Sequence, residues 1–196
     1  MQAPPACTPR DRILTDDELK RVWLTAGDDT YGKIVKLLIL TGQRRGEITG
    51  LIGGMIGTDT ITLPSDYTKN GRQHVLPLGA MVKDVLGRPL PPDVLYFPAR
   101  GRETPFNGFS KGKAQLDERC GFSDWTVHDL RRTFASGLAS LGVQLPVIER
   151  LLNHVSGSFG GIVGVYQRYD FFPEMEAAID RWEGHIHSLT DHPRAA

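Results

Sequence analysis

The sequence predicts a mainly α-helical domain with one small antiparallel β-sheet, an α+β arrangement. Three observations lead there. Apolar residues recur at intervals of three and four through most of the chain. The period changes to two only between Thr58 and Leu78. A length of 196 residues, 40% of them hydrophobic, suits one compact domain that buries a sizeable core.

Residues 1–10 hold three prolines and read as a linker. The first helix is expected just after Leu14, where Thr15 and Glu18 have the spacing of a capping box, with Leu19, Val22 and Trp23 as its apolar stripe. A second helix, 31–40, carries Ile34, Val35, Leu37, Leu38 and Leu40 and belongs near the centre of the core. It stops at Thr41-Gly42. A short helix over 44–51 follows, so an arginine emerges from a buried helix end toward whatever binds there.

Segments 60–63 and 73–78 alternate as strands, and Asn70-Gly71 between them favours a tight hairpin turn with Lys69 on its tip. Pro64 and Pro77 keep these strands short and near an edge. A brief helix over 80–86, a loop at 88–92 and an apolar run at 94–97, which pairs or plugs the core, come next. Asn107 is expected to cap a helix reaching about residue 119, although Gly108 and Gly112 weaken it.

Thr126 and Asp129 repeat the cap pattern ahead of Val127, Leu130, Phe134, Leu138 and Leu141, one buried helix face. His128 and Arg131 are neighbours one turn apart on the adjacent face. Pro146 opens a helix containing Val147, Ile148, Leu151 and Leu152, with His154 at its end. Residues 156–164 hold four glycines and read as a mobile spacer, a last helix covers 173–187, and 188–196 is a flexible tail. The domain proper is therefore expected over 11–187.

Lys plus Arg equals Asp plus Glu at 23 each, so any positive surface must come from local clustering. Cys7 and Cys120 have no metal-ligand spacing and read as free thiols of a reducing cytoplasm. No metal, cofactor or small-molecule substrate is expected. No apolar run has the length of a membrane span and the N-terminus lacks a signal peptide's apolar core, so the expected location is cytoplasmic.

Singly, the polar residues have ordinary explanations: Arg44 a surface charge, Lys69 a solvated turn lysine, His128 a capping side chain, His154 a core histidine, Tyr166 or Tyr169 a half-buried aromatic. Their joint order is far less ordinary. Gly42-x-Arg44-x-x-Glu47, a hairpin lysine, His128-x-x-Arg131, Leu151-Leu152-x-His154 and a tyrosine after a short spacer resemble the tyrosine recombinases, and more narrowly the integrases of prophages and genomic islands. The resemblance covers nearly all of 11–187, through LILTGQRRGEI at 38–48, TKNGRQHVLPL at 68–78, HDLRRTFAS at 128–136 and GVYQRYDF at 164–171. It departs after Leu51, where IGGMIGTDTI replaces a tryptophan-and-acid string frequent in the family.

That resemblance implies a tyrosine recombinase catalytic-domain fold and a reaction in which a tyrosine attacks a DNA phosphodiester, forming a 3′-phosphotyrosyl link and freeing a 5′-hydroxyl. Arg44, Arg131 and His154 match the positions that stabilise charge on the non-bridging oxygens. Lys69 matches the general acid for the departing oxygen, and His128 the position that assists proton transfer or orients the phosphate. Glu47 supports Arg44. The VYQRYD context places Tyr166, rather than Tyr169, as nucleophile.

It also implies double-stranded DNA attachment sites as partner, four protomers per synapse, and an N-terminal helical core-binding domain that no residues here could form, the proline-rich start resembling its linker. Its rivals are a type IB topoisomerase that nicks and reseals one duplex, a non-catalytic DNA-binding remnant, and a protein-binding domain.

Overall fold

The computed structural model describes residues 11–154 and 170–191. The expected linker with Cys7, the glycine-rich spacer, Tyr166, Tyr169 and residues 192–196 lie outside the described residues.

Helix α1 (Asp16–Ala26) starts as its sequence dictates: Thr15 Oγ1 accepts the Glu18 N–H and the Glu18 carboxylate accepts the Thr15 N–H. It buries Leu19, Val22 and Ala26, while Trp23 stays half-exposed beneath the Lys36 ammonium. Helix α2 (Thr30–Thr41), capped by Asp29, is the centre of the molecule and buries seven apolar side chains from Tyr31 to Leu40. It ends at Gly42, which stands in the left-handed region at φ +62°. The chain turns at once into α3 (Arg45–Thr49).

The single sheet among the described residues pairs β1 (Thr60–Leu63) antiparallel with β2 (His74–Pro77), Thr60 opposite Pro77 and Leu63 opposite His74. Their connection is longer than a tight hairpin. A 3-10 turn at Ser65–Tyr67 precedes a four-residue turn closed by Gly71 N–H to Thr68 O at 3.1 Å, in which Lys69 and Asn70 are the central residues and Gly71 follows at φ +67°. The Asn-Gly pair thus ends a turn instead of forming a two-residue loop.

The segment that departs from the family pattern is ordered. Gly53–Met55 is a 3-10 turn laced to 92–94 by Gly53 N–H to Val94 O and Gly54 N–H to Pro92 O, and Ile52 bridges Leu95. The apolar run at 94–97 therefore both pairs, through Leu95, and plugs the core, through Phe97.

Helices α4 (Ala80–Leu86), α5 (Phe109–Cys120), α6 (Val127–Ser140), α7 (Leu145–Leu151) and α8 (Phe172–Thr190) complete the fold. Two expectations are corrected here. Gly108, not Asn107, is the cap residue of α5 and makes no side-chain cap bond. Gly112 inside that helix lets the Tyr31 ring approach to where a β-carbon would meet it at 2.5 Å, so packing keeps the helix despite its glycine. Residues 188–190 belong to α8 rather than a tail, with Thr190 Oγ1 donating to Ile186 O.

Helix α8 closes the core over α2 and α6. The Trp182 indole N–H donates to Ile39 O at 2.9 Å, and its ring meets Phe134 edge-on at 5.6 Å. One residue on, buried Glu183 accepts the N–H groups of Met81 and Val82, capping α4 from a distant helix. Burial raises its carboxyl pKa above the ordinary value, partly offset by those N–H groups.

Candidate active site

Two tight turns and two helix ends meet around Arg131. It projects from the second turn of α6, whose start is fixed by Asp129 accepting the N–H and hydroxyl of Thr126. The Arg131 guanidinium is buried, 7% exposed, and donates to Gly42 O at 2.7 Å and Leu152 O at 2.5 Å. It thereby joins the end of α2 to the end of α7. Of a guanidinium's five N–H donors, two are committed to these carbonyls. Burial, then the Arg44 charge, lowers its pKa to about 10, which still leaves it protonated at neutral pH.

Arg44 enters from the turn between α2 and α3. Buried Glu47 accepts its backbone N–H at 2.8 Å and its Nη1 at 2.9 Å, which fixes both the backbone and the charge of that arginine. Next to Arg44, the Arg45 guanidinium stacks on Phe109 at 4.6 Å.

Arg44, Lys69, His128 and Arg131 line one cleft of about 590 Å³, whose far wall carries Phe109, Lys113 and Trp125. His154 lines a second cleft of about 340 Å³ together with Asn153, His74 and Arg72. It nonetheless stands close enough to the arginines to feel them. Burial first, then the charges of Arg131 and Arg44, push its pKa below the ordinary histidine value. Burial followed by Arg132 and Arg131 does the same to His128. Both imidazoles are therefore neutral at neutral pH, each able to accept a proton or to gain one when an anion arrives.

His154 owes its position to a Schellman motif. Asn153 takes the left-handed position, φ +50°, its N–H bonds to Arg150 O, and the His154 N–H reaches back to Glu149 O at 2.9 Å. The freed carbonyls of that helix end do not face water. Leu151 O accepts from Gln43 Nε2 at 2.8 Å and from His74 Nε2 at 3.1 Å, and Leu152 O from Arg131. Asn70, beside Lys69, donates to Asn153 O and Oδ1 at 3.0 and 2.8 Å.

Gln43, Asn70, His74 and Asn153 are the site residues that sequence reasoning missed. Gln43 is 2% exposed and lines the first cleft, with its Oε1 buried and unpartnered among the described residues. His74 is 6% exposed, and burial pushes its pKa down to about 4. The signal available for them was position alone: Gln43 inside the string 38–48, Asn70 and His74 inside 68–78, and Asn153 next to His154. The expected nucleophile, Tyr166, and its rival Tyr169 lie outside the described residues.

The fold is that of tyrosine recombinase catalytic domains. It superposes on the XerA recombinase with a TM-score of 0.62 at 21% identity, covering 98% of this chain and 68% of that one. On the XerH site-specific recombinase bound to its difH substrate the TM-score is 0.57 at 17% identity, covering 74% of this chain and 47% of that one. The chain belongs to the phage integrase family, whose model matches residues 12–169.

Among curated relatives it is 31% identical over 171 residues to the prophage integrase IntZ of Escherichia coli K12, covering 84% of this chain and 41% of that protein. It is 30% identical over 137 residues to the tyrosine recombinase XerC of Roseiflexus sp. RS-1, covering 63% of this chain and 43% of that protein. The chain thus spans less than half the length of these relatives. No helix among the described residues is long and apolar enough to cross a membrane.

Proposed function

We propose that this chain is the catalytic portion of a site-specific DNA recombinase that cleaves and rejoins strands through a 3′-phosphotyrosyl intermediate. The observation that carries the reading is Arg131, held by two backbone carbonyls from separate helix ends so that one cleft collects Arg44, Lys69, His128 and itself. Fixed cationic donors on rigid elements suit a transition state that gains charge on non-bridging oxygens, because they need no reorganisation as that charge develops.

In this reading the Tyr166 oxygen attacks phosphorus and the bond to the 5′ oxygen breaks. The tyrosine proton passes to neutral His128, and the Lys69 ammonium protonates the departing 5′ oxygen. Arg44, Arg131 and His154 bind the phosphoryl oxygens. Lys69 is exposed and makes no hydrogen bond or ion pair among the described residues, which leaves its ammonium available for that proton transfer. The partner is double-stranded DNA carrying attachment sites, engaged by four protomers of a longer protein that includes an N-terminal core-binding domain.

A duplex nicked near the cleavage site, so that the short 5′-hydroxyl fragment diffuses away, tests this directly. The protein becomes covalently attached to DNA, Tyr166→Phe abolishes the attachment, and Tyr169→Phe retains it. Attachment that survives Tyr166→Phe and disappears in Tyr169→Phe reassigns the nucleophile.

A further inference from the structure

We propose that Asn70 and Asn153 are a positioning pair that registers the Lys69 turn against the helix end bearing His154. Lys69 and His154 come from segments far apart in the chain, yet each is the sequence neighbour of one member of this pair. The Lys69 ammonium is held by no contact of its own among the described residues, so its location is that of its turn.

The two amides match each other closely. Asn70 Oδ1 accepts the Arg72 N–H within its own turn at 3.2 Å, which orients the amide so that Nδ2 faces outward. Both hydrogens of that nitrogen are used, one on Asn153 O and one on Asn153 Oδ1, and Asn153 Nδ2 donates back to Asn70 Oδ1 at 3.3 Å. Asn153 presents its carbonyl outward because it stands in the left-handed position of the Schellman motif, which asparagine tolerates better than other side-chain-bearing residues. A second tie, His74 to Leu151 O, anchors the start of the following strand to the same helix end. The turn is therefore attached at two points, and both points lie within three residues of His154.

The proposal rests on the recombinase reading in assigning Lys69 the proton that goes to the 5′ oxygen. Its test uses two nicked suicide duplexes, one with the natural bridging oxygen and one with sulfur in the 5′ bridging position. Sulfur departs as a thiolate and needs no acid, so the second substrate bypasses Lys69. Asn70→Asp is nearly isosteric but sets a carboxylate oxygen against Asn153 O and Oδ1. Asn153→Gly keeps the left-handed backbone and removes the side-chain amide.

Each variant is expected to cleave the oxygen substrate roughly 10- to 100-fold more slowly, part of the about 10²- to 10⁴-fold that a general acid contributes, and the sulfur substrate at close to the unsubstituted rate. Equal loss on both substrates overturns the proposal. Lys69→Ala is the reference for the recombinase reading: if sulfur does not rescue it, Lys69 is not the acid, and if the unsubstituted protein attaches to neither duplex at about 50 mM salt, the recombinase reading itself fails.

The coupling itself is then decided by hydrogen exchange on the same chain. Asn70→Asp and Asn153→Gly must each speed exchange at 68–72 and at 153–154 with the remainder unchanged. Acceleration confined to the substituted segment overturns it.

Discussion

Arg131 and His74 show how single residues hold charge and polarity inside this site. Arg131 keeps its proton although buried: burial and the Arg44 charge, opposed by Glu47, lower its pKa only to about 10, and two helix-end carbonyls accept from the guanidinium. His74 takes the opposite course and stays neutral, its Nε2–H donated to Leu151 O. The consequence for stability has a definite sign. The unfolded chain takes up a proton on His74 as pH falls through about 6.5, whereas the native state takes it up only near about 4. Stability is therefore complete above pH 6.5 and lost as pH falls toward 4, by roughly 3 kcal/mol from this residue. Urea denaturation across that window is expected to show the decline, and His74→Gln to make it shallower. The lowered values of His128 and His154 leave a smaller slope of the same sign.

At the scale of elements, the site is assembled from helix ends. Gly42 ends α2 in a left-handed conformation, offers its carbonyl to Arg131, and lies under Phe134 so closely that a β-carbon would sit 2.3 Å from the ring. Gly42→Ala is expected to cost roughly 2–4 kcal/mol, from the left-handed backbone and the overpacked ring together, read as a lower urea midpoint. Suicide-substrate cleavage should fall further than the loss of folded protein explains, since the Arg131 anchor moves with Gly42. The boundaries of α1 and α6 were legible because capping boxes act over three residues. The turn holding Lys69 was only half legible: Asn70-Gly71 announced a turn, but its length was set by the 3-10 segment at Ser65–Tyr67 and by Asn70 engaging Asn153, 83 residues away. The cap of α4 was not legible at all, since Glu183 reaches it from α8.

For the whole molecule the balance of 23 basic and 23 acidic residues limits what this domain can do alone. Five of the 23 basic residues, Arg44, Arg45, Lys69, Lys113 and Arg131, line the cleft. Few phosphate contacts mean weak binding that salt abolishes. Fluorescence anisotropy on a duplex is expected to show binding at about 50 mM salt that disappears by about 200 mM. Binding that persists beyond this contradicts the expectation that the isolated domain holds DNA poorly.

The sequence by itself determined the helical periodicity, the two strands, the caps and the residue types of the constellation, because each is encoded within a few neighbouring positions. It also carried the family, through four strings in a fixed order. Tertiary structure alone decided how these residues are held. Gln43 reaches Leu151 across 108 residues, His74 the same carbonyl across 77, and Arg131 ties Gly42 to Leu152. A glutamine or asparagine carries no mark of a distant partner. Those contacts form because folding buries the end of α7, and its carbonyls, cut off from water, must find donors there.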